Sequence, residues 1–381
     1  MPTEFPESQE RARPASLVFN SSAMLIAAGF NLIGTSWVAS SGPSTVELVV
    51  LDWLREWCGM PAGSEGLLTS GGSSASLTAL VAAREAFGAG GVVYMSDQAH
   101  GSIVRDLKVM GESEVRVLPS DAAFRLRASD VVDAVEADRA AGLTPFALVA
   151  TAGTTNTGAI DPLVELADLC AAERLWFHVD GAYGAAAALA DPGLLEGMGR
   201  ADSLVIDPHK WLFQPYEAGA VLVRHPGLLE QTFKLSGEYL RDTFGGEVNF
   251  RDRGIQLTRG TRALKLWLSV QVFGLDAFRS AVAHGIALAE HAEAVLRSRP
   301  GWEVVTPASL GIVCFSRVGA DDSLVAAETV RDGYAAPSTT VLRGQTVLRL
   351  CTINPRTTFE EIEETIERME RVSASTSASP D

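Results

Sequence analysis

The 381 residues predict an α/β fold. A large domain is built on a mostly parallel sheet covered by helices on both faces, and a smaller C-terminal α+β domain follows it. Three observations predict this. Between Leu67 and about Val223, short apolar, β-branched runs alternate with helix-length amphipathic stretches, the pattern of βαβ units. The runs are apolar throughout rather than alternating, as strands buried on both faces are. Unusual polar residues cluster where those runs end, and open parallel sheets bind ligands at the carboxyl ends of their strands. The expected divisions are an N-terminal segment 1–28, a large domain 29–275, a small domain 276–372 and a disordered tail 373–381.

The N-terminus, Met1 to Ala15, is polar, carries Pro2, Pro6 and Pro14, and lacks the basic-then-apolar pattern of a signal peptide. A Gly-rich turn, Thr69 to Ser74, precedes the helical stretch Ser74 to Phe87. The run Gly91 to Met95 ends in Ser96-Asp97-Gln98-Ala99-His100, and Phe146 to Ala150 ends in Thr151-Ala152-Gly153-Thr154-Thr155-Asn156. Trp176 to Val179 ends in Asp180-Gly181-Ala182-Tyr183, and Ser203 to Ile206 ends in Asp207-Pro208-His209-Lys210-Trp211. Ser129 to Ala141 and Leu163 to Arg174 read as the connecting helices. The Ala/Leu-rich stretch Arg262 to Ser298 is helical and leads into the second domain, where Leu310 to Ser316 and Thr346 to Leu350 read as strands. Overlapping capping-box patterns in Thr357 to Glu361 open the last helix.

Composition narrows the function classes. Hydrophobic residues are 47% and charged residues 20%, a globular balance. A net charge of −16 without a Lys/Arg block argues against nucleic-acid binding, and it requires that any anionic cofactor be held by local donors. No apolar run approaches the ~20 residues of a membrane-spanning helix. Cys58, Cys170, Cys314 and Cys351 form no CxxC pair and read as buried thiols in a reducing cytoplasm.

Taken singly, each polar strand end has a plain explanation: a Gly-Gly-Ser turn starts a helix, an Asp caps the next element, a Lys is a solvated charge. Taken together they match the needs of one cofactor, pyridoxal 5′-phosphate (PLP). Its phosphate needs N–H groups at a helix N-terminus, which Gly71, Gly72 and Ser73 supply. Its pyridine nitrogen needs a carboxylate, for which Asp180 is the candidate. Its aldehyde needs an amine, Lys210. His100 suits one face of the ring, and Thr151 a hydroxyl contact near the 3′-oxygen. The separation of 30 positions from Asp180 to Lys210 fits one strand–helix–strand step.

The same segments carry a family resemblance. TSGGSSASLTALVAAR, YMSDQAHGSI, ATAGTTNTGAIDPL, WFHVDGAYGAA, DSLVIDPHKWLFQPYEAG and RALKLWLSVQVFGL resemble the group II PLP-dependent amino-acid decarboxylases, from about Gly29 to Arg371. The resemblance implies fold type I of the PLP enzymes, with a seven-stranded, mostly parallel sheet, and a homodimer with sites near the interface. It implies decarboxylation of an α-amino acid to its amine through an external aldimine and a quinonoid intermediate. Position by position, Lys210 resembles the Schiff-base lysine, Asp180 the pyridine-nitrogen partner and His100 the ring-stacking histidine. Ala182 resembles the small residue on the opposite ring face. Gly72, Ser73 and His209 match phosphate-binding positions, and Thr151 a threonine near the ring. Tyr239 matches a tyrosine on a mobile loop, implied to return the proton, and Arg251 an arginine near that loop's end. Asp207 stands where many members have an asparagine near the phosphate; a carboxylate there is repelled by the phosphate unless it turns away or bonds to backbone.

Members of the aromatic type carry an N-terminal arm and an His-Pro, aromatic-rich stretch beside the substrate. The residues aligning there, about Phe5 to Arg11, read Phe-Pro-Glu-Ser-Gln-Glu-Arg. The expectation is a pocket without that lining and a smaller dimer interface. Other readings stay open. The same chemistry supports aldehyde synthesis or another lyase step, although His100 and Tyr239 favour plain decarboxylation. A non-catalytic relative is expected to lack Lys210 or Asp180. A zinc site from His100, His178 and His209 has no liganding spacing.

Overall fold

The computed structural model describes residues 25–88, 91–112, 114–235 and 246–376. These divide into two units. One runs to Ala152 and resumes over Ile160–Phe278; the other comprises Gly153–Ala159 and the chain from Arg279 onward.

In the first unit the elements are α1 (Trp37–Trp57), β1 (Glu65–Thr69), α2 (Gly72–Phe87), β2 (Val92–Ser96), α3 (Gly101–Met110), β3 (Val115–Leu118), α4 (Ala128–Ala140), β4 (Pro145–Thr151), α5 (Leu163–Glu173), β5 (Trp176–Asp180), β6 (Ser203–Ile206), β7 (Gly219–Val223), α6 (Leu228–Phe233) and α7 (Ala263–Phe273). Seven strands form one sheet in the order β1-β7-β6-β5-β4-β2-β3. The pairs from β3 through β6 are parallel, whereas β7 runs antiparallel to both β6 and β1. Every residue of β2, β5, β6 and β7 is buried, which accounts for their continuous apolar runs. A fully buried Val or Leu adds about 1.5–3 kcal/mol. At the edge, β3 is only half-buried.

Topology gathers one end of the sheet. Because β7 is antiparallel to its neighbours, its first residues lie beside the carboxyl ends of β6 and β1: Ala220 pairs with Ile206, and Gly219 with Thr69. The carboxyl ends of β2, β4, β5 and β6 lie on the same side, as does the start of α2.

The second unit begins within α8 (Leu275–Ser298) and continues through β8 (Trp302–Ser309), β9 (Ile312–Arg317), α9 (Asp322–Asp332), β10 (Ser338–Leu342), β11 (Gln345–Cys351) and α10 (Phe359–Thr376). Its antiparallel sheet has the order β10-β11-β9-β8. Leu288, Val313, Phe315, Leu348, Ile366 and Met369 are central to its core. The Asp321 carboxylate accepts from Ser323 N–H (2.8 Å) to cap α9, worth ~1 kcal/mol. A reciprocal capping box starts α10: Glu361 N–H donates to Thr358 Oγ1 (3.2 Å), and Thr358 N–H to the Glu361 carboxylate (3.0 Å).

The structure departs from several expectations. The helical run 262–298 is broken at Gly274, whose φ of 76° ends α7. Edge strands β8 and β10 were not anticipated, since Pro307 interrupts the first and exposed Ser and Thr dilute the second. The first unit ends at Phe278 and the second resumes at Arg279, with Gly153–Ala159 in the second unit. There the Asn156 carbonyl accepts from Cys314 Sγ and Arg349 Nε, and Ser309 Oγ donates to the Gly158 carbonyl (2.8 Å). Finally, α10 runs to Thr376, into the stretch expected to be disordered. Ser373 is buried there and its hydroxyl donates to the Glu370 carbonyl (2.8 Å). Of the four free thiols, Cys351 is exposed rather than buried.

Candidate active site

Parallel pairing sets Thr151, the last residue of β4, directly beside Asp180, the last of β5. Asp180 is buried. Its Oδ1 accepts from Ala182 N–H (3.0 Å), and its carbonyl from Ala152 N–H (2.8 Å). Burial raises the Asp180 pKa; the Ala182 bond and the charges of Lys210 and His100 pull it down, and Asp207 pushes it up. Lys210, His100, Asp207 and Asp180 therefore share one electrostatic neighbourhood. The Thr151 hydroxyl is buried with no hydrogen-bond partner among the described residues.

The turn after β6 is held at several points. Asp207 N–H donates to the Ala182 carbonyl (3.1 Å), Lys210 N–H to the Asp207 carbonyl (2.9 Å), and His209 N–H to the Ala218 carbonyl (3.1 Å). In return Ala218 N–H donates to His209 Nδ1 (3.0 Å). With Nδ1 accepting, the ring proton belongs on Nε2, which faces Asp207 Oδ2 at 3.4 Å. The Lys210 ammonium lies 3.0 Å from the same oxygen. Burial works to raise the Asp207 pKa, but the His209 bond and the Lys210 charge outweigh it and hold the carboxyl below its ordinary value.

The start of α2 faces this turn. Gly71 is its N-cap residue, and no side chain caps the helix, so first-turn N–H groups and the positive end of the helix dipole remain available. Backbone approach is close. A Cβ on Gly72 would lie 3.0 Å from Asp207 Oδ2 and 3.2 Å from Ala182 Cβ; one on Gly219 would lie 2.7 Å from Asp207 Oδ1. Ser73 is exposed on the first turn. His100 is exposed as the N-cap of α3, its Nδ1 accepting from Ser102. Tyr239 lies outside the described residues.

The expected residues other than Tyr239 and Arg251 thus come from one end of one sheet; Arg251 lies in the turn Phe250–Asp252, its N–H donating to the Thr35 carbonyl (3.0 Å). His178 does not join them: it is buried on β5 and bonded through Nδ1 to Ser203 Oγ (2.8 Å). Among the described residues no three His, Cys, Asp or Glu side chains are grouped to hold a metal ion.

Sequence reading passed over the supports. Asp161 accepts from the backbone N–H of both Thr151 and Leu126 (each 2.7 Å). Burial pushes its pKa up to about 6. Lys265 on α7 donates to the carbonyls of Pro215 (3.0 Å) and Glu217 (2.6 Å), and Ser269 donates to Gln214 (3.1 Å), so α7 holds the loop that carries Ala218. The motifs RALKLW and GAIDPL contain Lys265 and Asp161, but nothing in their pattern distinguishes a buried brace from a surface charge.

The pyridoxal-dependent decarboxylase conserved-domain model matches residues 16–318. The chain belongs to the pyridoxal-dependent decarboxylase family. It is 47% identical over 361 residues to the aromatic-L-amino-acid decarboxylase of Bacillus atrophaeus, covering 89% of this chain and 75% of that one. Identity to the Cavia porcellus aromatic-L-amino-acid decarboxylase is 34%, covering 78% and 68%. Among solved structures, Oryza sativa TDC with PLP and tryptamine superposes with a TM-score of 0.89 at 26% identity, covering 96% of this chain and 82% of that one. Rhodiola rosea 4-hydroxyphenylacetaldehyde synthase gives 0.87 at 25% identity, covering 97% and 82%.

This decarboxylase is a PLP-dependent enzyme that converts an amino acid to its amine. Its site fits the cofactor on three counts: an uncapped helix start for the phosphate, an unpartnered buried hydroxyl at Thr151, and a buried carboxylate at Asp180. One residue does not fit an incoming anion. Asp207 presses its own carboxylate against the start of α2.

Proposed function

We propose that the chain decarboxylates an aromatic L-amino acid, with Lys210 as the residue that carries the cofactor. The substrate class is supported by the 47% identity to the Bacillus atrophaeus enzyme. The observation that carries the residue assignment is the convergence of Lys210, Asp180 and the start of α2 at one end of the sheet.

Bound PLP supplies an electron sink for the bond to the departing carboxylate. Asp180, dry and fixed by Ala182, holds a proton on the pyridine nitrogen, because a buried carboxylate ionises most readily opposite a fixed cation. Thr151 offers its free hydroxyl beside the ring. With PLP bound, His100 would cover one ring face, and Ala182 is small enough to leave room at the other. Gly71, Gly72 and Ser73 hold the phosphate with His209. Tyr239 returns a proton to the carbon that has lost carbon dioxide.

The active species is read as a cytoplasmic homodimer. Large apolar side chains exposed on the first unit, including Phe30 (77%), Leu25 (73%), Val38 (57%) and Val272 (52%), support a covering partner. The free thiols support a reducing compartment. Among the described residues no single helix is long and apolar enough to cross a membrane.

Incubating the purified chain with PLP and amino-acid pools, while following carbon dioxide and product mass, tests the reading. Aromatic amines are expected. Carbon dioxide released only from acidic or aliphatic amino acids overturns the substrate class. The likeness to Rhodiola rosea 4-hydroxyphenylacetaldehyde synthase supports aldehyde formation as the second reading, which the same product masses separate.

A further inference from the structure

Asp207 is the carboxylate that lies against the start of α2, where its negative charge has the same sign as the phosphate. It is buried (3% exposed), and both oxygens lie near the backbone positions that define the cradle: Oδ2 against Gly72 and Oδ1 against Gly219. Oδ2 faces the Lys210 ammonium and His209 Nε2, whereas Oδ1 has no hydrogen-bond partner among the described residues. A negative charge beside the first turn of a helix is favourable, and so is one beside an ammonium. In the cofactor-free chain Asp207 thus meets the electrostatic demand that a phosphate would meet. Two anions at one dry helix start repel strongly, and a proton relieves that repulsion.

We propose that Asp207 is an internal stand-in for the cofactor's phosphate, and that binding a phosphate monoester at the start of α2 is coupled to proton uptake at Asp207. The inference rests on the phosphate placement given under Proposed function. The charged and titratable groups around Asp207 are Lys210 and His209 on its own turn and Asp180 on β5, which His100 also biases. Gly72 on α2 and Gly219 on β7 add no side-chain charge. Of these, Asp207 is the anion set against Gly72 and Gly219, so it meets the arriving phosphate most directly.

The test uses pyridoxine 5′-phosphate, whose alcohol cannot bond covalently to Lys210, titrated into the cofactor-free full-length chain. Calorimetry in buffers of different ionisation enthalpy counts protons between about pH 7.5 and 8.5, where the phosphate ester is already a dianion. Proton uptake approaching one per site is expected, with affinity falling up to about tenfold per pH unit. Asp207→Asn and Asp207→Ala should both bind tighter at the upper pH, by about tenfold or more, with proton uptake largely lost. Their melting temperatures report whether each remains folded, and the difference in proton count between wild type and the folded variants separates uptake at Asp207 from uptake at the ligand's ring nitrogen. Equal affinity and equal proton count in wild type and both variants overturn the inference about Asp207. Plain pyridoxine binding as tightly as its phosphate in all three proteins overturns the phosphate placement, and the inference with it.

Discussion

Thr151 and Asp180 lie side by side in parallel register at the carboxyl ends of β4 and β5; Thr151 Oγ1 has no hydrogen-bond partner among the described residues, and Asp180 is held by Ala182 N–H. The pairing fixes a carboxylate and a hydroxyl on adjacent strands, a more rigid support than a loop gives. Asp180→Asn keeps the volume and the contact to Ala182 but removes the charge. The expected result is a fall in kcat of at least ~10²-fold, with cofactor content per chain within about twofold of wild type. Parallel loss of cofactor and activity would instead make Asp180 a structural residue.

Glu47 and Arg259 form a buried ion pair: Arg259 Nη2 donates to Glu47 Oε1 at 2.7 Å and Nη1 to Oε2 at 2.9 Å. Arg259 also donates to the Gly34 and Leu68 carbonyls, and Glu47 accepts from Leu68 N–H (2.9 Å). The pair ties α1 to β1. Removing one partner strands a buried charge, so Glu47→Leu should destabilise the fold by about 3–5 kcal/mol. Denaturant unfolding measures it, and a loss under ~1 kcal/mol would show that the pair is solvated in solution.

Acid sensitivity should trace partly to His178. Burial lowers its pKa to about 4 from 6.5, so the folded chain holds it neutral while the unfolded chain protonates it. The sign follows: its contribution is complete above pH 6.5 and is lost as pH falls from 6.5 towards 4, by roughly 3 kcal/mol. His178→Asn retains an acceptor for Ser203 and does not titrate, so its stability should decline less over that interval. Unchanged acid dependence in the variant contradicts this.

Asp106 acts in the opposite sense. Burial, with Asp180 adding to it, raises its pKa to about 7, and Oδ2 has no hydrogen-bond partner among the described residues. Its contribution is complete below pH 3.8 and is lost as pH rises towards 7. Asp106→Asn should therefore stabilise the chain at pH 8, on the order of 2 kcal/mol, and leave it nearly unchanged at pH 4. A variant less stable than wild type at pH 8 would refute the assignment.

The parallel sheet was legible because its strands are buried on both faces, and burial leaves an uninterrupted apolar mark on sequence. The polar residues were legible because they punctuate those marks at Thr151, Asp180 and Asp207. Strands β8 and β10 were not, since an edge strand tolerates Pro307 or a row of Ser and Thr without losing its pairing. The braces Asp161, Lys265 and Arg259 escaped for another reason. A charged residue reads alike whether it meets water or a buried carbonyl, and only the fold supplies the carbonyl.

The role proposed for Tyr239 is to favour amine over aldehyde formation. The carbon that loses carbon dioxide must gain a proton, and a placed phenol speeds that step by ~10²–10⁴-fold over undirected transfer. Tyr239→Phe should retain the cofactor while product shifts from amine towards aldehyde, with peroxide formed under air. Amine release at the wild-type rate would remove Tyr239 from the mechanism.

The central claim is that Lys210 carries the cofactor, and one measurement tests it most directly. The purified enzyme with PLP is reduced with borohydride, digested, and mapped by mass spectrometry. The account predicts a single pyridoxyl-modified lysine in the peptide containing Asp207-Pro208-His209-Lys210-Trp211, located at Lys210. Modification at Lys234, Lys265 or another lysine instead, or no stable modification in an active preparation, would contradict it.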